Sequence, residues 1–261
     1  MNEVFGKKTV TSSEFPVILF DAGGTLLHTN PSFEKFSCAQ VYLAGHHFSE
    51  EEFQLAITKG VRRVNDLAEE DLQFQFRTKV WLEFFLENLK LDENSRKDLA
   101  RKILENFALT SKMVIAESTV DLCENLKDRG YRLAIVSNSE TAITEILRAQ
   151  GVLQLFDAVI TSQDVGFSKP HPQIFTAALE DMDVSAHQAV VVGDSYSNDI
   201  LGARRAQIHS VLYDPELREL KALSPEDLSA KVVSIESLRH NRRLQDVKVI
   251  LRLEELSEFF L

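Results

Sequence analysis

The stretch Val17–Asn30, VILFDAGGTLLHTN, holds the main clue to this chain. Its first four residues are a short apolar run of the kind buried on both faces of a parallel sheet. An acid, Asp21, then stands at the carboxyl end of the run, and Gly23 and Gly24 follow at once. Glycines let the backbone bend closely around an anion or a cation. In open parallel sheets ligands bind beyond the carboxyl ends of the strands, so Asp21 is a candidate site residue.

Similar apolar runs recur on both sides of a longer interruption: YRLAIVSN at 131–138, FDAVIT at 156–161, AVVVGD at 189–194 and HSVLY at 209–213. A weaker final strand is expected in VKVILRL, 247–253, with a helix in EELSEFFL, 254–261. Helical patterns lie between them. ESTVDLCENLKDRG ends at Gly130 and ETAITEILRAQG ends at Gly151, both glycine-terminated helices, and HPQIFTAALEDMD places Pro172 in its first turn. Alternating strand and helix predict an α/β fold, a three-layer Rossmann-like parallel sheet with right-handed crossovers.

Between Pro31 and Lys112 the patterns are helical only. Phe53, Ala56, Ile57, Val61 and Val64 share one helical stripe, and Phe76, Val80, Trp81, Phe84 and Phe85 another, so each helix must bury an apolar face. The expected division is a core of residues 1–30 and 113–261 with an all-helical insertion at 31–112.

Composition narrows the function. The chain has 261 residues, 44% hydrophobic and 26% charged, the balance of a folded globular protein. Its net charge of -11, without a Lys/Arg block, argues against nucleic acid and anionic membranes as partners. Cys38 and Cys123, the two cysteines, stand far apart and predict neither a disulfide framework nor a thiolate metal site. No segment is apolar for the length a bilayer needs and the first residues do not read as a secretory signal, so a cytoplasmic location is expected.

Four strand ends carry polar residues of the same character. Asp21 follows the first strand, Ser137-Asn138 the second, Lys169 lies in GFSKPHP, and Asp194 and Asp199 lie in VVVGDSYSND. Singly, each is ordinary turn or capping chemistry. In this order they resemble the motifs of the haloacid dehalogenase-like superfamily: Asp21-Ala22-Gly23-Gly24-Thr25 its D-x-D-G-T, Ser137 its second motif, Lys169-Pro170 its third, Gly193-Asp194 with Asp199 its acidic fourth. The resemblance covers Val17–Thr29 and about Glu117–Pro215, and the insertion at 31–112 is similar to the family's helical cap.

The resemblance implies a Mg²⁺-dependent phosphatase acting on a small phosphorylated metabolite through an aspartyl-phosphate. Asp21 would be the nucleophile. Lys169 would neutralise charge, and Ser137, Asn138 and the backbone around Gly24 and Thr25 would bind phosphate. The cation would be held by Asp21, the carbonyl of Gly23, Asp194 and, directly or at one remove, Asp199. Phosphoryl transfer needs an in-line nucleophile with positive charge around the equatorial oxygens, and a hard all-oxygen donor set suits Mg²⁺.

One position departs from the pattern. The family's phosphatases place a second Asp, the general acid–base, where this chain has Gly23. Such assistance is worth about 10²–10⁴-fold, so its absence favours substrates whose leaving groups need no proton, such as aryl and acyl phosphates, over sugar phosphates. His28 is a candidate substitute acid. Lys59, Arg62 and Arg63 in the insertion are candidates for facing the site; a desolvated Lys59 would suit phosphonate chemistry. His171 reads as a loop residue. A metal-binding module without turnover is the alternative. Carbon–halogen hydrolysis ranks below both, because that branch dispenses with the metal while Asp194 and Asp199 retain an acidic metal loop.

Overall fold

The computed structural model describes residues 15–70, 77–110, 112–139, 142–223 and 247–257. Along the chain run β1 (Val17–Phe20), β2 (Leu27–Asn30), α1 (Phe33–Leu43), α2 (Glu50–Glu70), α3 (Arg77–Asn88), α4 (Glu93–Thr110), β3 (Lys112–Ile115), α5 (Glu117–Asp128), β4 (Arg132–Ser137) and α6 (Ala142–Ala149). Then follow β5 (Ala158–Thr161), α7 (Ser162–Val165), α8 (Pro172–Asp181), β6 (Ala189–Gly193), α9 (Leu201–Arg205), β7 (His209–Tyr213), α10 (Arg218–Leu223) and β8 (Lys248–Ile250).

Six strands form one parallel sheet in the order β5-β4-β1-β6-β7-β8, with β1 between β4 and β6. The period of two explains why these strands read as unbroken apolar runs. Ile18 and Phe20 join one hydrophobic cluster with Leu122, Leu126 and Leu147 from α5 and α6, while Val17 and Leu19 join another with Ile174, Phe175 and Ala203 from α8 and α9. Both faces are therefore covered, as the α/β expectation requires. Gly130 and Gly151 end α5 and α6 at φ of 87° and 71°, a backbone region that glycine enters without steric cost.

Helices α1–α4 lie between β2 and β3 and pack around their own cluster, which includes Phe36, Val64, Trp81, Phe85 and Ile103. Phe53, Ala56, Ile57, Val61 and Val64 all belong to this cluster or pack on it, as the stripe on α2 requires; Phe76 lies outside the described residues.

The structure adds what the sequence patterns did not reveal. β2 and β3 pair antiparallel, Leu27 opposite Ile115 and Asn30 opposite Lys112, at the two ends of the helical insertion. Each has only four residues and is half-buried, too short for the alternation to register. The expected terminal helix opens with a 3₁₀ turn at Leu253–Glu255 and is α-helical at 256–257; residues 258–261 lie outside the described set.

The helical unit is tied to the sheet domain through α9 and α10. Asn65 Nδ2 donates to Glu219 Oε2 at 2.7 Å, Arg62 Nε to the Ala222 carbonyl at 2.8 Å, and Arg205 Nη2 to the Ala68 carbonyl at 2.9 Å. Arg218 pairs with Glu34 of α1. No helix among the described residues is long and apolar enough to cross a membrane.

Candidate functional site

The carboxyl ends of β1, β4 and β6 sit side by side because β1 is flanked by the other two. Asp21 leaves β1 with its N–H still donating to the Val192 carbonyl of β6 at 2.8 Å, so its side chain emerges from the sheet at a defined angle. Beside it Asp194 follows β6. Asp199 comes from a π-helical turn, Tyr196–Ile200, whose start is capped by the Ser195 hydroxyl; one-turn π segments recur at functional sites.

Asp21, Asp194 and Asp199 each present a carboxylate oxygen, all within 4.8 Å of one another. Lys169 reaches into the cluster and donates to Asp21 Oδ1 at 2.5 Å and Asp199 Oδ1 at 2.7 Å. All three of these residues are buried. Three carboxylates face one ammonium, and the Arg218 guanidinium 3.8 Å from Asp194 is shared with Glu34, so the cluster is short of positive charge in a place water scarcely reaches. Asp21 Oδ2 is buried without a hydrogen-bond partner. The charge deficit, the unpartnered oxygen and the all-oxygen donor set fit a hard divalent cation such as Mg²⁺.

Two glycines make the crowding possible. A Cβ on Gly24, at φ 96°, would lie 2.3 Å from Asp194 Oδ2, and one on Gly193 would lie 2.2 Å from Asp199 Cγ. Gly23 differs: a Cβ there would meet nothing within 4 Å, and the residue is exposed. The space for a side chain exists, and the chain supplies none.

Burial pushes Asp21 up to about 7, against the pull of Lys169 and with help from the nearby charges of Asp199 and Asp194; a bound cation would act in the opposite direction. Lys169 is held above the usual lysine range: burial disfavours its charge, and Asp199 and Asp21 outweigh that cost.

The other residues expected here take several places. Ser137 is buried at the end of β4 and lines a cavity of about 450 Å³ with Asp21, Lys169 and Asp194. Thr25 Oγ1 is buried without a partner. Gly24 N–H donates to the Leu27 carbonyl at 2.7 Å, so its contribution is close approach to Asp194 rather than a free donor. Asn138 also lines the cavity, but its amide clasps the Lys169 backbone, accepting from Lys169 N at 2.6 Å and donating to Lys169 O at 2.8 Å. Its geometry positions the lysine.

Lys169 arrives on a loop shaped from its far side as well. His171 caps α8, its ring nitrogen accepting from Gln173 N, and stacks on Phe167 at 4.3 Å. His28 lies on β2, where burial first and the Arg218 guanidinium second hold it below the usual imidazole range, and it does not line the cavity of Asp21. A neutral imidazole keeps one N–H but lacks the acidic imidazolium proton that a general acid gives to a leaving group.

Of the basic cluster in the insertion, Arg62 is turned to the Ala222 carbonyl and Arg63 sits over the Phe84 ring, 5.2 Å from its centroid. Lys59 is half-buried and does not line the cavity of Asp21. The insertion's lysine that lines it is Lys79 of α3, beside Thr78. Arg218 likewise went unsuspected, although it pairs with Glu34 and lies 3.8 Å from Asp194. Neither carries a local signal: on sequence alone each is one more solvated charge on a helix.

Comparisons with known proteins identify the family. Residues 15–207 match the family described as haloacid dehalogenase-like hydrolase. The chain is 33% identical over 171 residues to haloacid dehalogenase-like hydrolase domain-containing protein 3 of Xenopus laevis, covering 59% of this chain and 69% of that protein. It is 40% identical over 103 residues to glyceraldehyde 3-phosphate phosphatase of Methanothermobacter thermautotrophicus, covering 39% of this chain and 46% of the other. Among solved structures, magnesium-bound HAD-hydrolase YfnB of Bacillus subtilis shares the fold, with a TM-score of 0.52 at 21% identity over 93% of this chain and 97% of that one.

Proposed function

We propose, from the premise that this chain belongs to the haloacid dehalogenase-like hydrolases, that it is a Mg²⁺-dependent phosphatase of a small phosphorylated metabolite. The observation that carries this reading is the convergence of Asp21, Asp194 and Asp199 within 4.8 Å, with Lys169 bridging two of them. Similarity to a glyceraldehyde 3-phosphate phosphatase, and a solved neighbour bound to magnesium, support it.

In this reading Asp21, Asp194 and the Gly23 carbonyl would hold the cation, with Asp199 a further ligand or their support, and the cation would supply charge neutralisation for the attack on phosphorus. Asp21 attacks phosphorus and forms an aspartyl-phosphate that water then hydrolyses. Lys169 orients Asp21, opposes the burial that disfavours its ionised form, and offers positive charge to the developing transition state. Ser137 and Thr25 donate to phosphoryl oxygens, and Asn138 holds the Lys169 loop in register with β4. Residues 31–112 act as the cap over this cavity, with Thr78, Lys79 and Leu104 forming its inner wall.

Because position 23 offers no acid, turnover should favour leaving groups that depart as stable anions. A metal-dependent screen of phosphorylated metabolites, aryl phosphates and acetyl phosphate tests the proposal, with Asp21→Asn as the control. Activity that survives Asp21→Asn would move the nucleophile elsewhere.

The open space at Gly23 also favours a second reading, a phosphate- and metal-binding module with little turnover. Binding of Mg²⁺ and phosphate without hydrolysis of any member of the panel would select it.

A further inference from the structure

A second cavity of about 420 Å³ adjoins the one around Asp21, and the two share Gly23, Thr78, Leu104 and Asp194 on their walls. One wall is apolar, formed by Leu27, Phe33, Val61, Trp81, Phe107 and Met113, while His28, Thr29, Ser32 and Thr78 line the cavity beside its charged end. Phe33 meets the Trp81 and Phe107 rings edge to face, at 5.5 and 4.9 Å between centroids, so the wall is a connected aromatic surface. Neighbouring Leu82, Phe85 and Ile103 are fully buried, whereas Phe33, Phe107 and Met113 keep part of their surface open and Leu104 is exposed. That uncovered apolar surface faces a cavity of the size that holds a small ligand.

The charged end of this cavity offers no spare cation. Arg218 lies there, but it pairs with Glu34 and has Asp194 and Glu216 within 4 Å. An anionic group on the substrate body would meet carboxylates there, whereas an uncharged ring would meet aromatic edges and faces.

Gly23 stands at the junction. An Asp or any larger residue there would project into open space beside both cavities, since even a Cβ meets nothing within 4 Å. The missing side chain removes a general acid and opens a passage.

Resting on the phosphatase reading, we infer that the substrate is an aryl phosphate monoester whose uncharged aromatic ring occupies the cavity of Phe33, Trp81 and Phe107. Both consequences of Gly23 then serve one substrate class. The Asp21 carboxylate attacks phosphorus, the P–O bond to the ring breaks, and its electron pair leaves as a phenolate, which takes its proton from solvent. Water next displaces Asp21 from phosphorus, loses a proton to solvent, and leaves inorganic phosphate.

Trp81 is the chain's only tryptophan and lines this cavity, so its emission reports occupancy without any turnover. The wild-type protein with Mg²⁺ would be titrated with phenylphosphonate and with methylphosphonate, neither of which is hydrolysed here, following emission and heat. Burial of the ring should make phenylphosphonate bind about tenfold tighter or more. It should also change Trp81 emission. In Gly23→Leu, checked for fold by circular dichroism, the ratio should fall toward one as the passage narrows. If methylphosphonate and inorganic phosphate bind and the ring brings no advantage, or emission is unchanged at saturation, this inference fails while the phosphatase reading stands. If no phosphoryl compound binds, both fail.

Discussion

Lys169 Nζ lies 2.5 Å from Asp21 Oδ1, joining the end of the first strand to a loop 148 residues later. The same ammonium reaches Asp199 at 2.7 Å, and all three groups are buried. Removing one member of such a network leaves the others as uncompensated charges. Lys169→Ala should therefore lose activity and cost about 3–5 kcal/mol of stability. Asp21→Asn should abolish turnover yet leave a folded protein, because the amide can still accept from Lys169. Urea titration of both variants beside their rates checks the contrast; equal stability losses would mean that the lysine is not neutralising this cluster.

Cation binding should appear as stability. A ligand that binds only the folded state at a hundred times its Kd adds about 2.7 kcal/mol. For a chain of this size that corresponds to a rise in Tm of several degrees. Mg²⁺ should produce this rise in the wild type and lose most of it in Asp194→Asn. Thermal melts with and without chelator read the effect, and identical melting curves would count against the metal site.

Gly23→Asp should fold normally, since the new Cβ meets nothing within 4 Å. If the scaffold lacks only its acid, kcat on alkyl phosphates should rise about 10²-fold or more, and aryl phosphates, which need no protonation, should gain little. A uniform change across both classes would show that leaving-group protonation is not what this position controls.

Gly193→Ala makes the opposite case. Its Cβ would fall 2.2 Å from Asp199 Cγ, a side chain held on both oxygens by Lys169 and the Ser195 N–H. Overpacking of this kind costs about 1–3 kcal/mol and should displace Asp199. The Mg²⁺-dependent rise in Tm should shrink with it, and a variant of unaltered stability would contradict the close approach.

Asn65 and Glu219 join the helical insertion to the sheet domain across a buried 2.7 Å hydrogen bond. Asn65→Ala should cost about 1.5–3 kcal/mol, the range for hydrogen bonds to charged groups. Hydrogen exchange should then quicken in α2 and α10 before it quickens in β1 and β4. Uniform acceleration across the molecule would show that this contact does not hold the two units together.

Much of the candidate site was legible in the sequence. A strand buried on both faces must be apolar throughout, so Val17–Phe20 and Ala189–Gly193 announced themselves, and the acids that end them stood out against that background. The short strands β2 and β3 did not, because four half-buried residues carry no period. Asn138 lines the cavity as expected and also clasps the Lys169 backbone, a role that depends on a loop 31 residues away. Arg62 and Arg63 were candidates for facing the site, but burial of the α2 stripe turned them toward Ala222 and Phe84.

Local chemistry was enough to place acids, a lysine and glycines at the ends of parallel strands, and so to indicate the fold; the resemblance of those residues to a known family implied the phosphoryl chemistry and the gap at position 23. Such features are readable because strand burial and turn conformation act on consecutive residues. The convergence of Asp21, Asp194, Asp199 and Lys169, the docking of α2 on α10, and the aromatic cavity beside Gly23 depend on how distant elements pack. Packing brings together residues with no fixed spacing along the chain, so only the folded molecule reveals which of its helix-surface residues face the site.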